Sequence, residues 1–220
     1  MAQVKLKFPA DGLVSPSSWG SKEAIKKMME NIYKNYGSYI DFVSKESNLP
    51  KEMIASFIAV ESGGNPKAGA SGHVTQGLMQ WNRNFAKDML ELEKKQGRMT
   101  KAEQDKLASF GIKFDSKGKT RAITNADQLK PELNILIGTM LLGQLVDTDW
   151  GTEDGEIKLD RVIAVYNAGA YGDTGKKARS KAYKTPKELA SAVNSVTRSY
   201  INKILGLNGA LHLTNEVKTA

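Results

Sequence analysis

At 220 residues and 24.1 kDa, the chain is long enough for one domain with a substantial core, and its 32 basic against 24 acidic side chains give a formal charge of +8. A hydrophobic share of 40% with 25% charged residues excludes a globally disordered chain. The lack of cysteine excludes disulfides, thiol nucleophiles and thiolate metal sites; with only His73 and His212 as imidazoles, neither a metal nor a cofactor is expected.

The first residues carry Lys5 and Lys7 with no apolar stretch behind them, so no secretory signal is expected and the chain reads as made in the cytoplasm. Ser21 suits the cap of a helix running to about Tyr36, with a break at Gly37-Ser38. Ser38 and Asp41 then predict a second short helix that ends before Leu49-Pro50. A third helix begins after Pro50 and passes through Glu61 into Ser62-Gly63-Gly64. Residues 64–80 read as a glycine-rich loop that holds His73, expected in solvent, and residues 83–96 as a charged amphipathic helix. Thr100 and Glu103 form a capping-box pair opening a short helix to Ser109, and residues 111–120 suit an exposed hairpin or loop.

A long apolar helix follows from Pro131 to Val146. Its uncharged run from Leu133 is too short to span a bilayer, so no stable membrane insertion is expected. The next helix, from about Leu159 to Tyr166, ends at Asn167-Ala168-Gly169. Lys176, Lys177, Arg179, Lys181 and Lys184 form the densest basic cluster, read as a solvated, mobile loop. Thr185-Pro186-Lys187-Glu188 combines an N-cap, a proline at N1 and a glutamate at N3, opening a helix expected to reach Leu205. Residues 206–220 are expected to be a flexible tail.

Two of these helices carry an irregularity of the same kind. Ile54, Phe57 and Ile58 occupy i, i+3 and i+4 of an apolar stripe, and the i+7 position is Glu61. Burial there would raise its pKa and keep a proton available near neutral pH; the alternative is a glutamate that swings out or meets an arginine. Leu159, Val162 and Ile163 set a second stripe that places Tyr166 at i+7, where ring packing alone is a sufficient explanation. Two helices ending in a polar group on the buried face, each followed by glycine, point to a shared cleft.

At these positions the chain resembles the soluble lytic transglycosylases and goose-type lysozymes. The resemblance rests on Glu61-Ser62, then Asn65-Pro66, Ala68 and Ser71, then Gly77-Leu78-Met79-Gln80. Asn134-Ile135 with Gly138 and Leu141-Leu142 resembles the family's central helix, Ala164 to Gly169 its Tyr-Asn-Ala-Gly motif, and Thr197 to Ile201 its closing element. The blocks keep the family's order over about residues 48–205. The resemblance implies a mostly α, lysozyme-like fold with little or no sheet. Residues 1–47 would form an N-terminal helical extension on the core, 48–205 the catalytic domain, and about 83–130 a charged insertion serving as lid, substrate wall or docking surface.

The implied activity is cleavage of the β-1,4 bond between N-acetylmuramic acid and N-acetylglucosamine, with peptidoglycan strands as partner. Chitin, which shares the N-acetyl group, is an alternative substrate. Carried over by position, Glu61 is the acid and then the base, and Tyr166 hydrogen-bonds it. Met79, Gln80 and Asn167 line or hold the sugar, Ser62 orients the cleft and Gly77 lets backbone approach the glycan. Trp81 either stacks on a sugar or caps the core.

Glycoside cleavage usually uses two carboxylates, yet no Asp or Glu occurs from Ser62 to Lys87. Hydrolytic relatives carry an aspartate two residues after the GLMQ glutamine, where this chain has Asn82. The single glutamate favours lytic transglycosylation with a 1,6-anhydro product over hydrolysis by a muramidase, unless an acid such as Asp88 revives the latter. A non-catalytic wall-binding module and a basic nucleic-acid binder are the competing classes; no nucleic acid is expected as partner, and the protein is expected to be monomeric. A wall enzyme without a signal suits a bacteriophage lysis protein or virion component.

Overall fold

The computed structural model describes residue 10, residues 12–69 and residues 73–218. Ser71, part of one motif above, lies outside them. The described residues form a short 3-10 helix, Ser17–Trp19, eleven α-helices and two short antiparallel hairpins. No helix among them is long and apolar enough to cross a membrane.

Helix α1 spans Lys22–Ser47 without a break, its N-terminus capped by the Ser21 side chain accepting from the Ala24 N–H. The expected interruption at Gly37-Ser38, and with it the separate helix capped by Ser38, does not occur. Ile25, Met29, Ile32, Tyr36, Ile40 and Val43 stay in phase and are all buried. That continuous stripe outweighs the cost of one mid-helix glycine, about 1 kcal/mol. The stripe packs on α2, Lys51–Ser62, and α6, Pro131–Val146. Helix α6 is the central post, with every residue from Leu133 to Leu142 buried.

Between α2 and α6 the chain forms a small hairpin, β1 Thr75–Gln76 against β2 Trp81–Asn82. It then makes α3 Arg83–Lys95, α4 Lys101–Ser109 and the short α5 Asn125–Gln128. The Thr100–Glu103 capping box forms as the spacing predicts. A second one, Thr124 with Asp127, opens α5, which the sequence reading missed. Buried acids hold this segment together: Glu91 accepts from Lys87, Lys119 and the Thr120 N–H, and Glu93 accepts from Arg98 and Gln144.

Past α6 come the hairpin β3 Thr152–Glu153 and β4 Glu156–Ile157, then α7 Leu159–Ala168 and α8 Asp173–Arg179. The basic cluster expected as a mobile loop is in part this helix: Thr174, Gly175 and Ala178 are buried, so packing holds it. The helix expected from Thr185 to Leu205 is two, α9 Pro186–Ala192 and α10 Ser195–Leu205. Asn194 caps α10 by accepting from the Thr197 N–H, while Arg198 donates to the Ala190, Ser191 and Val193 carbonyls that the break frees.

The flexible tail is also corrected. Ala210–Lys218 forms α11, which packs on α1 and α2 with Ala210, Leu211 and Leu213 fully buried. Burying such side chains stabilises by about 1.5–3 kcal/mol each, enough to order a terminus. Just before α11, Leu207 bridges to the N-terminal segment, with Ser15 N–H donating to Leu207 O and Leu207 N–H to Leu13 O.

Candidate active site

A cleft of about 780 Å³ opens between α3 on one side and α7 with its following turn on the other. Glu61 lies in it, on the last turn of α2. The helix stops there because Gly63 takes a left-handed conformation, φ 62°, and returns its N–H to Ala59 O at 2.9 Å. Ile54, Phe57 and Ile58 on the same face are completely buried, so Glu61 is the polar end of an otherwise apolar stripe.

The Tyr200 hydroxyl donates to Glu61 Oε1 at 2.6 Å. Burial pushes the Glu61 carboxyl up to about 7, against the opposing pull of that hydrogen bond. Phe57 is flanked by both site tyrosines, with ring centroids 4.9 Å from Tyr166 and 6.2 Å from Tyr200. Burial first, and then the charge of Glu61, keep both phenols neutral well above their ordinary range.

Tyr166 therefore does not hydrogen-bond Glu61 as expected. Its hydroxyl donates to the Met79 carbonyl at 2.7 Å, tying the loop before β2 to α7. The partner of Glu61 is Tyr200, which the sequence reading did not assign. The signal was present: Thr197, Tyr200, Ile201 and Ile204 form the buried face of α10, with a hydroxyl set among hydrophobes.

Residues 76–81 are organised by Asn134 of α6, which is fully buried. Its Oδ1 accepts from the Met79 N–H at 2.7 Å, and its Nδ2 donates to Gln76 O and Gln128 O at 2.9 and 2.7 Å. Its carbonyl accepts from Trp81 Nε1 at 2.9 Å. Gly77 is required here, but not by a glycan. At φ 82° a Cβ would lie 2.2 Å from Gln128 O and 2.3 Å from Asn134 Nδ2, so the close approach is to protein.

Met79 likewise packs inward, fully buried against Gly138, and its side chain does not line the cleft. Ser62 donates to Ile58 O and accepts from the Gly64 N–H, a helix-end arrangement away from the cleft. Gln80 does line the cleft, but its Nε2 is committed to Ala68 O and Gly77 O. Trp81 contributes to the lining while 97% buried, which favours a core-capping ring over a free stacking platform. Asn167 lines the cleft and accepts from Thr197 Oγ1 at 2.9 Å. His73 is exposed and outside the lining.

Asn82 caps α3, accepting from the Asn84 and Phe85 N–H groups. Asn84, Phe85 and Asp88 of α3 face the cleft, making this part of the charged segment a wall. Phe85, Leu141, Gln144, Leu145 and Tyr171 are lining residues that periodicity alone did not distinguish from ordinary core or surface. Among the described residues no three His, Asp or Glu side chains gather as metal ligands.

A helical body with a desolvated glutamate in the lining of its cleft defines a lysozyme-like fold. The chain belongs to the transglycosylase SLT domain family, whose model matches residues 38–189. No curated protein sequence matches it. Among solved structures it is similar to an inactive glutamate-to-glutamine mutant of the lytic transglycosylase Slt from Pseudomonas aeruginosa. The TM-score is 0.54 at 16% identity, over 84% of this chain and 24% of that one, so the likeness is one of fold and spans about a quarter of the larger protein.

Proposed function

We propose that the protein is a peptidoglycan lytic transglycosylase that acts on the bacterial cell wall and leaves 1,6-anhydro-N-acetylmuramic acid ends. The observation that carries this reading is Glu61: partly withdrawn from water, paired only with a neutral hydroxyl, and lifted to about 7 in a cleft of about 780 Å³. At neutral pH such a carboxyl is present in both forms, as a group that must give and then take a proton requires.

Tyr200 occupies Oε1, which leaves Oε2 to carry the proton. Glu61 protonates the glycosidic oxygen as the C1–O bond breaks, and the substrate's own N-acetyl oxygen stabilises the cationic C1. The carboxylate then takes the proton of the C6 hydroxyl while O6 bonds to C1. Glu61 ends protonated, as it began, and no water is consumed. Family membership and the fold likeness support the same activity.

Asp88 favours a second reading. It is a second carboxylate in the cleft lining, exposed on α3, and could position water for a muramidase reaction. Mass spectrometry of fragments released from purified peptidoglycan separates the two. Anhydro ends, lighter by one water, are expected; reducing ends would assign hydrolysis and a role to Asp88.

A further inference from the structure

One residue of the cleft lining, Tyr171, carries beside it a cation that the bond-breaking chemistry does not use. Tyr171, on the turn between α7 and α8, lines the cleft while its side chain stands 84% exposed. Arg179, the last residue of α8, holds its guanidinium 5.9 Å from the centre of that ring. The other arginines are all engaged. Arg83 donates to Asn125, Arg98 to Glu93, Arg121 to Asp127, Arg161 to backbone carbonyls, and Arg198 to the end of α9. No carboxylate among the described residues pairs with Arg179, and its Nε is enclosed without a hydrogen-bond partner.

The position of this cation is built into the fold. Gly175 brings α8 against the preceding turn so closely that a Cβ there would lie 2.0 Å from Gly169 O. Asn194 Nδ2 donates to Thr174 Oγ1 at 3.0 Å, and Lys177 Nζ donates to Ala192 O at 2.9 Å. Arg179 is thus presented from a packed helix, with the exposed Lys176 one turn before it. A guanidinium lying along an aromatic face offers a planar fork of donors matched to a carboxylate. Tyr171 lies at the rim, so the group it meets is a substituent projecting from a bound strand rather than the scissile bond.

We infer that Tyr171 and Arg179 form a subsite for the carboxylates of the stem peptides carried by the glycan. This rests on the reading of the cleft as a peptidoglycan site. It makes the enzyme selective for strands that still bear charged peptides, through binding and not through the proton transfers at Glu61.

The test compares wild type, Arg179→Gln and Arg179→Lys on two walls: native peptidoglycan, and the same material with its peptide carboxylates converted to primary amides. Wild type should show a KM about fivefold to tenfold lower on the native wall, with similar kcat on both. Arg179→Gln should treat the two walls alike, at the wild-type level for the amidated one. Arg179→Lys, which keeps the charge but not the fork, should recover part of the difference. The inference is overturned if wild type does not discriminate, or if Arg179→Gln discriminates as wild type does. If neither wall yields fragments, the enzyme reading itself fails. Cosedimentation with the two walls then still reports whether Arg179 selects the charged one.

Discussion

Glu61 at the end of α2 and Asp127 in α5 are both carboxylates withdrawn from water, and their surroundings drive them in opposite directions. Burial also pushes Asp127 up, but the Arg121 guanidinium, the Thr124 N–H, Lys130 and the Thr124 hydroxyl together hold it well below the usual carboxylate range. Glu61 has a phenol for a partner and no cation, so burial wins. Desolvation alone therefore does not raise a carboxyl's pKa in this fold; it does so where no cation stands beside the carboxyl. The segment around Asp127 gains stability from its charge, and the cleft gives some up.

The largest test of this contrast is Glu61→Gln. Wall lysis should fall by about three orders of magnitude, because the amide can accept from Tyr200 but cannot transfer the proton. The same variant should be more stable than wild type at pH 8. A carboxyl whose folded pKa is raised loses stability as pH rises from its unfolded value, near 4.5, through about 7, and glutamine removes that loss. The gain should be about 1–3 kcal/mol by urea denaturation and should vanish below pH 4.5. Equal stabilities at pH 8 would mean that Glu61 is better solvated than its surroundings indicate.

Arg121→Ala should do the reverse on the other side of the comparison. It removes a charged donor from an acid whose side chain is 3% exposed, costing about 1–3 kcal/mol, while lysis per folded molecule stays near wild type. Activity lost without a fall in stability would tie the segment to the cleft directly.

The two site tyrosines give the finest division. Tyr166→Phe leaves the buried Met79 carbonyl unpaired and should cost about 1–2 kcal/mol in stability, lowering kcat without moving the pH profile. Tyr200→Phe removes the donor that favours the Glu61 carboxylate, so the glutamate pKa rises and the alkaline limb of the activity profile shifts to higher pH. A pH–rate series on both variants checks the assignment. An alkaline limb that moves in Tyr166→Phe and stays in Tyr200→Phe would reverse the roles given to them.

The helix ends were the most legible parts of the chain. Glu61 interrupts a local apolar stripe and Gly63 follows within the same turn, so its place on the apolar face at a helix end can be read from a dozen residues. The capping box at Thr100 and the start at Pro131 were equally local. Where the reading failed, a distant partner had decided the outcome. Gly37 sits inside α1 because α2 and α6 cover the stripe on both sides of it. Residues 210–214 are ordered because α1 and α2 offer a surface for Leu211 and Leu213.

The sequence by itself determined a mostly helical chain, the helix carrying Glu61, and the family to which the motifs belong. Only the tertiary structure decided which hydroxyl meets that glutamate, since Tyr200 lies 139 residues away from it and the motifs pointed to Tyr166 instead. It also decided that Gly77 and Met79 pack against Asn134 and Gly138, and that Arg179 stands over the ring of Tyr171, which lines the cleft. The physical reason is the reach of the forces involved. Capping and amphipathic spacing act within a few turns of one helix, whereas hydrogen-bond partners and desolvation depend on which elements pack together, and no local pattern records that.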